Sequence, residues 1–445
     1  MRIIVAGGGW AGLAAAVELA RHGARVTLLE AGPHLGGRAR GIEHNGLRLD
    51  NGQHLLLGAY HDTLRLLEIL GVPESSVVER RPLELLYKAP NRPDIRLACP
   101  PLPAPLHLVT ALLRAEGLTL GERLNALSLC RGLLASGFTI EHDTGLATWL
   151  AHHRQSPALI RALWQPLCLA VLNTPLHEAS TQVFLRVLQD AFTRSHSDSH
   201  LLLTRTDLGN LLPQPAQRFI ERHGGEIKLS HRVQELVFED NVIRGVIANS
   251  QTITADHVVL AVPPIACHRL LAPHPAVRDI TRRLAALDHE PICTVYLRYP
   301  PQTRLPIPMV GLLDTTAQWV FDRALYGQQG LMAVVISGPG PHMAMSKAEL
   351  SAHVAKELAS IFPHWPTPQH SAGEGVVIRE KYATFSCRAN INTLRPQAET
   401  PIRGLWLAGD HTDTGYPATL EGAVRSGVVC ARGIQASAGR VSRTQ

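Results

Sequence analysis

Gly7, Gly9 and Gly12 stand in the spacing G-x-G-x-x-G, directly after the run Arg2-Ile3-Ile4-Val5-Ala6 and before a stretch of helical spacing. Glycines placed in this way act through the side chains they lack. Gly7 lets the chain turn sharply off a strand, Gly9 leaves bare backbone for a pyrophosphate to approach, and Gly12 lets helix and strand pack closely. The helix opening at Trp10 and Ala11 presents unpaired N–H groups and a partial positive charge to those phosphates. Glu30 follows the next strand-like run, roughly 20 residues past the glycines, where a carboxylate accepts hydrogen bonds from a ribose diol. That carboxylate disfavours a 2′-phosphate, so NADP is a poor occupant. The plainer alternative is a strand–turn–helix that binds no phosphate; the acid after the second strand argues against it.

Several further segments must hold this turn in place. Leu13, Ala16, Val17 and Ala20 share one helical face that would cover a sheet, and His22-Gly23 supplies the stop. Gly36-Gly37-Arg38 offers small residues beside a cofactor and a guanidinium for its phosphates. Near the other end, Leu405-Trp406-Leu407-Ala408-Gly409-Asp410 leads into Gly415-Tyr416-Pro417-Ala418-Thr419-Leu420-Glu421-Gly422-Ala423, with a helix expected to start near Thr419-Leu420.

Taken together, these segments resemble the FAD-dependent amine oxidase and carotenoid desaturase superfamily, which joins this glycine turn, ribose acid and Gly-Gly-Arg at its amino end. The resemblance implies FAD and an α/β fold, in which a Rossmann-type FAD-binding domain interleaves with a mixed α+β substrate domain. It implies that Asp410 contacts the ribityl-phosphate region and that the position of Val233 reaches the adenine. It also aims the helix at Thr419-Leu420 toward the flavin N1–C2 edge, favouring an anionic reduced flavin by up to roughly 2 kcal/mol. The expected cofactor set is Gly7, Gly9, Trp10, Ala11, Gly12, Glu30, Gly36, Gly37, Arg38, Gln53, His54, Val233, Gly409, Asp410, Thr419 and Leu420.

Within the superfamily, Asp50-Asn51-Gly52-Gln53-His54-Leu55-Leu56-Leu57-Gly58-Ala59-Tyr60 resembles the bacterial hydroxysqualene dehydroxylase family. Ala408-Gly409-Asp410 with residues 415–427 does too, as does Glu380-Lys381-Tyr382-Ala383-Thr384-Phe385 followed by Arg395-Pro396. His411 and Asp413 depart from the Trp and Thr commoner there. This narrower resemblance implies hydride transfer from reduced flavin to an allylic carbon of hydroxysqualene as its hydroxyl leaves as water, giving squalene for hopanoid synthesis. Such chemistry needs an apolar tunnel for a long isoprenoid, a proton donor and exclusion of bulk water. His54 and Tyr416 are the polar candidates for the donor. A flavin or backbone hydrogen bond is the plainer role for His54, and a packed aromatic wall for Tyr416. The rivals are a phytoene-type desaturase, an amine oxidase and a non-catalytic prenyl-binding escort. An amine oxidase needs an aromatic cage, and aromatics are only 5% of the chain. With only one dinucleotide fingerprint, the electron donor is expected to be diffusing reduced nicotinamide or a partner reductase.

Composition bounds the rest. The 445 residues suffice for two domains with sizeable cores. They are read as residues 1–60, 201–265 and 401–440 for FAD, and 61–200 and 266–400 for substrate. No apolar run reaches the roughly 18 residues of a membrane-spanning helix, and the chain opens directly into a strand, without the pattern of a signal peptide. Seven scattered cysteines form no C-x-x-C pair and fit a reduced cytoplasmic setting, and 23 histidines fall in no metal-ligand spacing, so no metal is expected. Net charge is +6 from 43 basic and 37 acidic residues, with no basic tract for nucleic acid. A basic surface could instead lean on anionic lipid at the inner face of a bacterial membrane. The alternative is an ordinary solvated surface.

Along the chain, residues 63–70 read as a helix and residues 80–96 as strands around Leu85-Leu86-Tyr87. Residues 106–135 read as Leu-rich helices, either a core-facing pair or an apolar lid that meets membrane. Residues 141–191 read as helical with turns at Pro157, Pro166 and Pro175. Residues 208–223 read as one helix, and 226–229, 232–238 and 242–248 as short strands. A buried strand at residues 258–262 is expected to stop at Pro263-Pro264.

Overall fold

Alternating apolar strands and helices at the amino end build an all-parallel sheet, seen in a computed structural model that describes residues 1–368 and 375–441. Its strands run, in spatial order, Glu226–Lys228, Arg25–Leu29, Arg2–Ala6, His257–Leu260 and Leu405–Leu407. Four of the five residues in Arg2–Ala6 are buried, as a parallel strand covered on both faces requires. The amino-terminal helix Trp10–Arg21 lies over this sheet, and the carboxyl-end helix Leu420–Val441 packs on it. That contact depends on Gly427, where an added Cβ would fall 2.2 Å from the Ala11 carbonyl oxygen. One sheet thus gathers strands from both ends of the chain and from its middle.

A second sheet has seven strands, in the order Val376–Phe385, His289–Arg298, Leu331–Ser337, Trp319–Asp322, Met309–Leu312, Glu84–Lys88 and Ile95–Ala98. Side chains alternate faces along a strand, and here the alternation serves two cores. Val310, Val320 and Val334 join Leu350, Val354 and Leu358 of helix Lys347–Ile361 on one face. Met309, Trp319, Phe321 and Val335 point the other way, into the larger core.

The structure departs from the sequence reading at several prolines. Pro166 marks no turn: Pro157–Leu159, a π-helical turn Ile160–Trp164 and Gln165–Leu172 form one continuous run. The wider π turn lies just ahead of Pro166, which has no N–H to donate and would clash in a regular helix. Residues 208–223 form two helices, Leu208–Leu211 and Pro213–Arg222, because Pro213 begins a new helix after the non-helical Leu212. Pro263-Pro264 is a start rather than the expected stop: the strand already ends at Leu260, before Ala261 and Val262, and Pro264 opens helix Pro264–Leu271.

A buried ion pair that the sequence did not announce ties the turn after strand Trp319–Asp322 to the two-stranded hairpin Gly41–His44 and Leu47–Asp50. The Arg323 guanidinium, fully buried, donates to Asp50 Oδ2 at 2.8 Å and to Gln53 Oε1 at 3.0 Å, and lies 3.7 Å from the Tyr326 ring centroid. The other Asp50 oxygen accepts from Leu208 N at 2.8 Å. Removing one partner of a buried pair strands the other charge, at a cost of about 3–5 kcal/mol. Asp50→Ala should therefore lower unfolding stability by that amount in urea, whereas Asp50→Asn, which keeps the acceptor, should lose less. A loss well below that in Asp50→Ala would show that this pair is not what holds the junction, while equal losses in the two variants would show that the charge, not the acceptor, does.

Candidate functional site

The three glycines occupy three different environments. Gly7 has φ +110°, and a Cβ there would sit 2.3 Å from the Ala261 carbonyl oxygen. At Gly12 it would sit 1.9 Å from the Gly7 carbonyl oxygen, so helix and turn are in backbone contact. Over Gly9 the nearest atom is the Gly37 Cα at 4.0 Å, leaving a bare cradle open. Gly36 N donates to the Gly8 carbonyl at 2.8 Å, and Trp10 Nε1 donates to the Ala39 carbonyl at 2.9 Å, which fixes the Gly-Gly-Arg loop beside that cradle. Glu30 accepts from Gly8 N and Gly32 N, each at 2.7 Å, and each carboxylate oxygen retains a lone pair for a further donor.

A cavity of about 600 Å³ borders every expected cofactor residue except Gly12, which lies behind it as a packing residue. Glu30 and Val233 border it alongside Gly9, Gly36 and Gly37 of the glycine cradle. Gln53, His54, Gly409, Asp410, Thr419 and Leu420 border it too. The carboxyl-end helix starts at Leu420, as expected, and the Thr419 hydroxyl accepts from Gly422 N at 3.0 Å, so the helix N-terminus meets the cavity.

Arg38 was expected to serve phosphates, but here its partners are protein groups. Its guanidinium donates to Asp410 Oδ1 at 2.6 Å and to the Ala383 carbonyl at 2.8 Å. Burial pushes the Asp410 carboxyl up, but Arg38 and the adjoining His411 outweigh it and hold it well below the usual carboxylate range. The loop carrying Asp410 is clamped by Arg395, which is 1% exposed and donates to the carbonyls of Asp410 at 3.0 Å and Thr412 at 2.6 Å. Glu421, fully buried, accepts from Thr63 N, Thr63 Oγ1 and Asp62 N and so caps helix His61–Ile69. Arg395 and Glu421 had no assigned role in the sequence, because their partners are distant in it.

The two proton-donor candidates differ in their surroundings. Tyr416 donates its hydroxyl to Asp190 Oδ2, and Arg425 covers its ring at 4.0 Å, so both its polar and aromatic groups are engaged. Burial and that carboxylate push its pKa up. His54 faces the cavity; burial first, then the nearby Arg38 charge, lower its pKa to about 4, so the imidazole is neutral at neutral pH. Glu380, quoted in the sequence only as part of a motif, also borders the cavity, beside Ile292 of the neighbouring strand. Beyond this polar zone the wall becomes apolar, with Leu108, Leu112, Leu133, Phe138, Leu163 and Leu167 among its residues.

The lowered His54 pKa has a stability consequence. Between the ordinary value of 6.5 and about 4 the unfolded imidazole binds a proton and the folded one does not. Stability should therefore fall as pH drops through that window, by about 3 kcal/mol in all. In His54→Asn the slope in urea titrations run between pH 7 and pH 4 should lessen by this share, leaving the part due to other buried histidines such as His257 and His289. A folded-state ring titrating near 6.5 by NMR would overturn the assignment.

Residues 10–435 match the family described as flavin-containing amine oxidoreductases. The chain is 28% identical over 435 residues to the hydroxysqualene dehydroxylase of Rhodopseudomonas palustris, covering 95% of this chain and 96% of that protein. It is 27% identical to the 15-cis-phytoene desaturase of an Oncidium hybrid cultivar, over 98% of this chain but 78% of that one. Cyclohexylamine oxidase from Brevibacterium oxydans shares its fold, with a TM-score of 0.72 at 18% identity over 98% of this chain and 99% of that one. The likeness to hydroxysqualene dehydroxylases read from short motifs thus extends along the chain. With a match over nearly its whole length and a cradle open where a cofactor would lie, the chain belongs to the flavin-containing amine oxidoreductase family.

Proposed function

We propose that the protein binds FAD and reductively removes the hydroxyl of hydroxysqualene, releasing squalene and water. The observation that supports this best is the lining of the cavity, which joins polar groups at the carboxyl-end helix to apolar side chains such as Leu108, Leu112, Leu133 and Leu167. Residues 1–60, 201–265 and 401–440 would hold the cofactor, with Glu30 toward a ribose, Gly9 and Gly37 beneath the phosphates and Leu420 at the flavin end. The remaining residues, 61–200 and 266–400, would hold the isoprenoid. When bound and reduced, the flavin supplies a hydride. Around it, the chain's own groups align the allylic carbon, exclude water and deliver one proton to the departing oxygen.

Tyr416 is occupied by Asp190 and His54 is neutral, so we assign proton delivery to Glu380, the acidic residue that borders the cavity from the seven-stranded sheet. His54, with Asn173 and Thr384 along the same cavity, would orient the hydroxyl. The second reading is a phytoene-type desaturase, supported by the plant relatives; those are longer proteins, whereas the dehydroxylases match in length. An amine oxidase finds less support, because the face of Tyr416 is already taken by Arg425.

Two experiments test this reading. Glu30→Ala should weaken FAD binding by roughly 1–3 kcal/mol, while Gly9→Val, which fills the open cradle, should leave the purified protein colourless. Unchanged affinity in the first or a fully yellow second would remove those residues from the site. Reduced protein incubated anaerobically with hydroxysqualene should yield squalene in step with recovery of the flavin absorbance, and Glu380→Gln should slow this far more than Tyr416→Phe. Bleaching of the oxidised protein by phytoene or an amine, with no squalene formed, would overturn the reaction while leaving the cofactor site intact.

A further inference from the structure

Helix Leu120–Ser136 is apolar on two opposite faces. Ala126, Leu129 and Leu133 are buried, while Leu120 is 66% exposed, Leu124 53% and Leu134 43%. At 100° per residue, Leu120, Leu124, Arg131 and Leu134 share one stripe, roughly opposite the buried face. The adjoining helix Leu106–Leu113 repeats the pattern: His107, Ala111 and Leu112 face inward, whereas Leu106 is 55% exposed and Leu113 45%. Leu102, just before it, is 38% exposed. These six leucines lie within a short segment, and the other large hydrophobics exposed among the described residues, such as Ile265 and Tyr382, are scattered. Grouped exposed leucines of this kind mark an interaction surface.

Two observations identify what this surface meets. First, Leu134 is both exposed on this stripe and part of the cavity wall, and Leu108, Val109 and Leu133 of the same helices line the cavity too. The surface is therefore the outside of the apolar wall. Second, Arg131 is exposed within the stripe and Arg114 at the end of the shorter helix, while Glu122 is committed to the Thr119 capping box. Six exposed leucines flanked by the exposed Arg114 and Arg131, with Glu116 the one exposed acid between the two helices, fit a bilayer surface carrying anionic lipid. No helix among the described residues is long and apolar enough to cross a membrane, so contact would be through this face.

We propose that the outer faces of helices Leu106–Leu113 and Leu120–Ser136 dock on an anionic lipid bilayer, and that substrate passes between membrane and cavity beside Leu134. The route rests on the isoprenoid reading above; the docking does not. Flavin-loaded protein should sediment with vesicles of phosphatidylcholine and phosphatidylglycerol, and much less with phosphatidylcholine alone. L120E/L124E should reduce that binding at least about tenfold, with flavin content and circular dichroism unchanged because both positions are exposed. I265E, on another exposed apolar residue, should bind as the parent does. R131E should remove the preference for phosphatidylglycerol. If the double variant loses its flavin, L120E alone carries the test.

The proposal is overturned if the parent ignores both vesicles or if L120E binds undiminished. It is overturned equally if light scattering shows a dimer that these substitutions dissociate, since a second copy would then cover the face. Turnover separates the route from the docking. L120E/L124E should lose turnover of substrate embedded in vesicles while keeping that of detergent-dispersed substrate. Vesicle binding by a protein that transforms no isoprenoid would leave the docking intact and sink the function instead.

Discussion

Arg38 and Asp410 are 372 residues apart in sequence and 2.6 Å apart in space, and the cavity's polar zone is organised around that contact. Arg38 belongs to the Gly-Gly-Arg loop beside the glycine turn, Asp410 to the turn after the last strand of the parallel sheet, and Ala383, which also accepts from Arg38, to the edge strand of the other sheet. One guanidinium therefore fixes three separate segments around one opening. The Asp410 side chain is nearly buried, and such a carboxylate stays ionised only while its partner remains. Since Asp410 titrates below its ordinary value, the contact persists at neutral and mildly acid pH and weakens only as the carboxylate is protonated.

The same charge shapes its surroundings. Arg38 adds to burial in keeping the His54 imidazole neutral. Arg395 holds the Asp410 loop by its carbonyls, and with its own charge deeply buried it is committed to that clamp. The end of the cavity beside the carboxyl-end helix is thus lined by groups whose ionisation is set by neighbours, as a preorganised site requires. Asp50 and Arg323 do comparable work behind Gln53, where removing either would strand the other's charge in a buried setting.

What was legible in the sequence was whatever is local. The glycine turn, its strand and helix, Glu30, and the helix start at Leu420 are each encoded within a few adjacent residues, and each was found where the spacing placed it. The pairings Arg38–Asp410, Asp50–Arg323 and Glu421 with the start of helix His61–Ile69 were not legible, because nothing short-range marks a partner hundreds of residues away. Pro166 was misread for a related reason. Proline ordinarily ends a helix, and only the π turn before it lets the run continue, which no periodicity of apolar residues reveals.

The Leu-rich helices show a different limit. A helix apolar on one face reports its burial through its periodicity, but one apolar on two faces carries almost no periodic signal. Residues 106–135 therefore read first as a core-facing pair and only second as a lid, and the structure shows a buried and an exposed apolar face in the same elements: Leu133 and Leu112 are buried, while Leu120 and Leu106 are exposed. A two-faced helix is costly on a protein surrounded only by water, since the outer leucines gain nothing from folding. It is economical where the outer face meets lipid and the inner face lines a passage for lipid-like molecules. In that setting the weak periodicity that obscured the segment in the sequence is itself the consequence of separating two apolar phases with a wall one helix thick.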